Sequence, residues 1–131
     1  MKFMLMMNAP RGTGDWAIFD WAPEDLKAHG AFMVRLNQEL REAGELVICE
    51  GLTPPGQAKL VRAAKNGEPI TDGPFPESKE FLAGFWIVDV ASRERAYAIA
   101  ARVSAAPGQG GKPLHMNVEV REVMSGPPVD S

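Results

Sequence analysis

Cysteine is almost absent from this chain: Cys49 stands alone among 131 residues. That excludes an internal disulfide framework and suits a reducing compartment, the cytoplasm by default. No Cys or His lies at metal-site spacing from it, so no metal site is expected. Basic runs are absent too. The 14 Lys and Arg are scattered and outnumbered by 17 Asp and Glu, for a net charge of −3. Duplex nucleic acid needs clustered cations against its phosphates, so no nucleic-acid partner is expected. No stretch approaches the roughly 18 apolar residues of a membrane span, so no membrane partner is expected either. The apolar opening from Met1 to Met7 stops at Asn8 and Pro10-Arg11-Gly12. It ends too early for a signal peptide and reads as a buried first strand. Gly108-Gln109-Gly110-Gly111 has no strand before it and no helix after it, so it is not a nucleotide fingerprint. No cofactor is implied, and no internal repeat is present.

What remains is an ordinary globular composition, 45% apolar and 24% charged. One domain over residues 1–125, with a short tail over 126–131, accounts for the chain. A domain of this size buries roughly two-thirds of its extended surface, enough for a core without staples. Lys2 to Met7 reads as strand one. Ala9 to Ala22 reads as a long loop carrying Trp16, Phe19 and Trp21, and long ordered loops are often binding loops. Pro23 to Ala43 is a helix: Pro23 suits its first turn, Glu24 and Asp25 its positive end, Gly44 its stop. Leu26, His29, Met33, Leu36, Leu40 and Ala43 fall on one face. Glu45 to Leu52 is a strand, broken by Pro54-Pro55-Gly56. Ala58 to Ala64 and Pro69 to Asp72 pair across Asn66-Gly67 as a hairpin. Phe81 to Val90, apolar on both faces, is the central strand. Ser92 caps a second helix with Ala96, Ile99, Ala100 and Val103 inward. Ser104 to Pro113 is expected to be a flexible loop, and Leu114 to Val123 the last strand.

The order β-α-β, hairpin, β-α-β describes an α+β domain built of split β-α-β units. Both helices lie on one face of an antiparallel sheet. The other face must be covered, because exposed apolar sheet is a liability. A second copy of the sheet is the simplest cover, so a homodimer is expected.

The stretch Asp72-Gly73-Pro74-Phe75, then Glu77, Lys79-Glu80 and Gly84-Phe85, resembles the name-giving motif of the DGPF (YCII-related) family. Glu119-Val120-Arg121 is similar to the family's last strand, and the element order matches over nearly the whole chain. The resemblance implies a ferredoxin-like fold and a dimeric α+β barrel. Among YCII-like relatives it brings in a dehydrochlorinase and enzymes containing His and Asp. Some DGPF members occur beside extracytoplasmic-function sigma factors. Fold alone does not carry function. The aromatic first loop, the long 104–113 segment and His115 depart from the pattern, and all three touch loops that can shape a pocket.

The last strand offers the clearest chemistry. His115, Asn117, Glu119 and Arg121 alternate with Leu114, Met116, Val118 and Val120, and a strand separates such rows onto two faces. The polar row either lines a barrel cavity, where it can bind an acid or move a proton, or forms a solvated face. Asp72 either caps its own turn or holds a carboxylate at a pocket rim. His29 is either a hydrogen-bonded packing residue or, beside a cleft, an acid/base group, since histidine titrates near neutrality. Some YCII-like relatives carry a His on this helix. Trp16 and Trp21 either pack the loop down or stack on a planar ligand. Cys49 reads as a small buried hydrophobe.

Three functions compete. The first is a cofactor-independent enzyme doing elimination or isomerisation on a small organic molecule. In it His115, Asp72 or His29 is the base, and Arg121, Glu119, Asn117, Trp16 and Trp21 hold the substrate. The second is a non-catalytic small-ligand-binding or regulatory accessory protein. The third is a plain structural dimer.

Overall fold

The computed structural model describes residues 1–10, 18–73 and 80–125. The expectations placed on Trp16, the side chain of Phe19, Pro74, Phe75, Glu77, Lys79 and the tail from 126 lie outside the described residues. Strand β1 (Lys2–Pro10) leads to helix α1 (Pro23–Glu42) and strand β2 (Leu46–Gly51). A hairpin of β3 (Leu60–Ala63) and β4 (Pro69–Asp72) follows. Strand β5 (Glu80–Asp89), helix α2 (Arg93–Ser104) and strand β6 (Val118–Glu122) complete the order. The main sheet runs β2-β5-β1-β6, antiparallel throughout. This is the ferredoxin-like α+β arrangement, and the inserted hairpin forms a two-stranded sheet of its own.

Alternation along β1 sorts the two faces. Phe3, Leu5, Met7 and Ala9 are buried, while Met4, Met6, Asn8 and Pro10 between them are half-buried. The buried set joins Trp86 and Val88 of β5, Leu36 and Leu40 of α1, and Ala96, Ile99, Ala100 and Val103 of α2 in one core. Both helices therefore cover the same face. Helix α1 begins on Pro23 and ends in a Schellman turn. Gly44 takes φ 72°, its N–H reaches the Arg41 carbonyl, and the Glu45 N–H reaches the Leu40 carbonyl at 2.8 Å. Ser92 caps α2 by accepting from the Arg95 N–H at 3.2 Å, a contact worth about 1 kcal/mol.

The structure corrects three readings. Strand β1 runs on to Pro10, because Asn8, Ala9 and Pro10 pair with Leu82, Phe81 and Glu80 beyond a bulge at Met7/Asn8. Strand β6 starts only at Val118. His115 takes φ 53° and bends the chain, and its N–H turns back to the Ser104 carbonyl at 2.8 Å. The polar row is thereby broken. Glu119 and Arg121 keep one face, opposite Met6 and Met4, and His115 is not in line with them. The segment after α2, expected to be flexible, is tied down. Pro107 bridges Pro113, and the Leu114 N–H bonds the Ala106 carbonyl at 2.9 Å.

Candidate ligand pocket

The helix-covered side of the sheet runs out of large side chains at one end. Gly84 lies opposite Met7 on one neighbour and Gly51 on the other, and Ala83 is the extra residue of the bulge. A Cβ at position 84 would stand 3.0 Å from the Glu50 carbonyl oxygen and 3.4 Å from the Gly51 Cα. The β2 and β5 backbones approach too closely there for a side chain. Helix α1 passes above this bare patch, and a cavity of about 260 Å³ remains between them. Met7 and Trp86 line it from the sheet, Met33 and His29 from α1, and Leu52 and Ile18 from the flanking segments. An apolar hollow with a single imidazole has the make-up of a small-molecule site, and bulges recur beside such sites.

His29 is placed by helical spacing: Leu36 and Leu40 lie about two and three turns further along the same buried face. It is 9% exposed. Its Nδ1 lies 2.9 Å from the Pro107 carbonyl oxygen. A carbonyl can only accept, so Nδ1 carries the proton, and in the neutral ring Nε2 is the acceptor. Trp21 meets the imidazole edge-on, with ring centres 5.6 Å apart and planes at 85°. Trp86, on the pocket floor, donates from Nε1 to Asn37 Oδ1 at 2.8 Å. Cys49, half-buried beside it, has its thiol pushed up by burial, with the Asn37 contact opposing. The protonated thiol is a weak nucleophile, so Cys49 serves the wall as a small soft group.

The other expected residues are spread over the molecule. Asp72, exposed at the end of β4, accepts from the Gly73 N–H at 2.8 Å, as a turn-capping Asp does. His115 and Asn117 are exposed and share a separate hollow of about 280 Å³ with Asn8 and Glu80. Glu119 and Arg121 stand exposed on the uncovered sheet face. Of the named candidates, the structure brings together His29 and Trp21. Met7, Met33, Gly51 and Gly84 were not recognised as site residues. The Ala83-Gly84 pair interrupting a run of large apolar residues was the available signal. Among the described residues no three His, Cys, Asp or Glu side chains gather as a metal site. No described helix is long and apolar enough to cross a membrane.

Comparison with known proteins supplies the setting. The profile described as the YCII-related domain matches residues 1–111, which hold α1, the hairpin and α2 and stop before β6. An uncharacterized protein of Rhizobium meliloti (strain 1021) is 31% identical over 86 residues, covering 66% of this chain and 69% of that protein.

Proposed function

Because the chain belongs to the YCII-related domain family, we propose that it is a small-molecule enzyme whose site is the hollow between α1 and the sheet, with His29 as its base. The observation that carries this reading is the place of His29: a buried ring whose Nδ1–H is held by the Pro107 carbonyl lines an apolar pocket. Nε2 takes a proton from a carbon acidified by a neighbouring substituent. The freed electron pair then takes that proton back from Nε2 at another carbon (isomerisation) or expels a leaving group, which departs with the pair while Nε2 keeps the proton (elimination). The apolar wall excludes water from the ion pair as it forms. The test starts from a thermal-shift screen of small organic molecules and an assay of each stabilising compound for conversion. His29→Gln is expected to keep binding and lose conversion by about 100-fold or more, the ordinary worth of general-base catalysis. Conversion unchanged in that variant contradicts the assignment.

A second reading has its own support. Among the described residues, Asp72, His115, Glu119 and Arg121 are not gathered around His29, an arrangement that also suits a pocket that binds a small molecule without turning it over. In that case stabilising ligands are found and none is converted.

The uncovered sheet face supports a homodimer. Met4, Met6, Phe85 and Ile87 form its half-buried apolar centre, and Ile48 stands 39% exposed beside them. Stacking this face on a second copy would close a barrel between the sheets, with Glu119 and Arg121 at its edge. The lone free thiol of Cys49 suits a reducing, cytoplasmic setting.

A further inference from the structure

We infer that Asn37 is a positioning residue of the pocket, clamping Trp86 and Cys49 together as its apolar end; this rests on the hollow under α1 being the ligand site. Trp86 and Cys49 stand directly opposite each other on β5 and β2, so their side chains share the helix-covered face. Both line the hollow. Asn37 reaches the pair from α1, where it is half-buried. Its Oδ1 accepts from the indole Nε1–H of Trp86 at 2.8 Å. Its amide also meets the Cys49 thiol, where it opposes the upward push of burial. Only a donor favours a thiolate, so the NH2 end faces the sulfur and the carbonyl end faces the indole. One planar amide, used at both ends, joins three elements.

The clamp gives the hollow a direction. His29, Met33 and Asn37 follow one another at helical repeats along α1, so they form one row. His29 and Asn37 are therefore about 12 Å apart along the helix axis. At the Asn37 end the indole N–H is spent on the amide, and the amide on the indole and the thiol. What lines the hollow there is ring and sulfur, from Trp86, Met33 and Cys49. The imidazole belongs to the other end. A ligand with one apolar end and one acidified C–H is thereby held one way round, hydrocarbon on Trp86 and reacting carbon toward His29. Sulfur and indole give close contact only where they keep still. An indole N–H without its acceptor would turn toward another polar partner, and the wall would lose its shape. Asn37 acts on a ligand through these two side chains.

The test uses the full chain, whose one cysteine makes thiol chemistry unambiguous. Alkylation of Cys49 by iodoacetamide is followed against pH. The indole N–H of Trp86 is followed by proton–nitrogen NMR, assigned through Trp86→Phe. The midpoint of the alkylation profile reads the acidity of the thiol, and the plateau reads access to it. Glu50 and Arg41 also act on this thiol and His29 lines the same hollow, and the Asn37 variants leave all three in place. Asn37→Leu should let the indole N–H exchange faster with deuterated water and should move the midpoint to higher pH. Asn37→Asp keeps an oxygen for the indole and has nothing to donate to the sulfur. It should hold the Trp86 signal and still move the midpoint up, and it decides alone if the leucine variant does not fold. Benzene is the probe of the apolar end, since dry apolar hollows take it. It should slow alkylation in the wild type and do so much less in Asn37→Leu. An unmoved midpoint in both variants overturns the inference, as does a Trp86 N–H indifferent to Asn37→Leu. Wild-type alkylation indifferent to benzene removes the apolar end. None of these readouts involves conversion, so a proven clamp beside conversion indifferent to His29→Gln would sink the catalytic reading alone.

Discussion

Glu45 follows the Schellman turn of α1, and its carboxylate accepts two bonds from Arg95 of α2, at 2.9 Å from Nε and 2.8 Å from Nη2. The fork geometry ties the turn between α1 and β2 to the start of α2. Glu45 is the better covered partner, its side chain 16% exposed against 40% for Arg95. The paired guanidinium holds the Glu45 carboxyl below the usual carboxylate range. A carboxyl lowered on folding stabilises the protein above its unfolded pKa, and that stability is lost as pH falls through the folded one. Glu45→Gln should therefore cost about 1 kcal/mol at neutral pH. In urea titrations the gap to wild type should persist near neutral pH and narrow as the pH falls below the usual carboxylate range, where the wild-type carboxyl takes up its proton. A gap independent of pH would mean that the pair contributes only through packing. Nothing in the sequence announced this pair, since 50 residues separate its members and only the topology joins them.

At the scale of elements, a pleated strand reports its faces far more clearly than its ends. The period-two pattern of Phe3, Leu5 and Met7 placed β1 in the core, and the three-and-four spacing of His29, Leu36 and Leu40 placed the stripe of α1. The alternation from Leu114 to Arg121 looked like one continuous strand, yet the backbone bends at His115 before pairing begins. Side-chain alternation carries no information about a positive φ at a non-glycine residue. The pocket was hidden for a related reason. Gly51 and Gly84 meet only through the β2–β5 register, which no short window of sequence displays. That pair makes a strong prediction. Gly84→Ala must push apart two backbones already 3.0 Å from the new methyl, and overpacking of this kind costs about 1–3 kcal/mol. Chemical denaturation should show that loss. Any pocket ligand should bind the variant more weakly, because Gly84 and Gly51 both line the hollow and the substitution displaces that wall. Wild-type stability and affinity would contradict the close approach.

For the whole molecule, the open sheet face and the pocket under α1 are two different places, suited to different work. The open face should make a dimer. Light scattering at micromolar concentration should give twice the chain mass, and Met6→Asp, which sets a charge in the centre of that face, should reduce it to the monomer. A monomeric wild type would remove the barrel. The fold and the helix-borne His29 were legible in the sequence, but the choice between the two faces was not, because it depends on where the side chains run out. The methionines decide it. Met4 and Met6 point to the open face, whereas Met7 and Met33 line the pocket. The most direct measurement is methionine-methyl NMR of the full chain with a stabilising ligand. The Met7 and Met33 methyls are expected to shift while Met4 and Met6 stay still. Shifts confined to Met4 and Met6 would place the ligand between the sheets and contradict it.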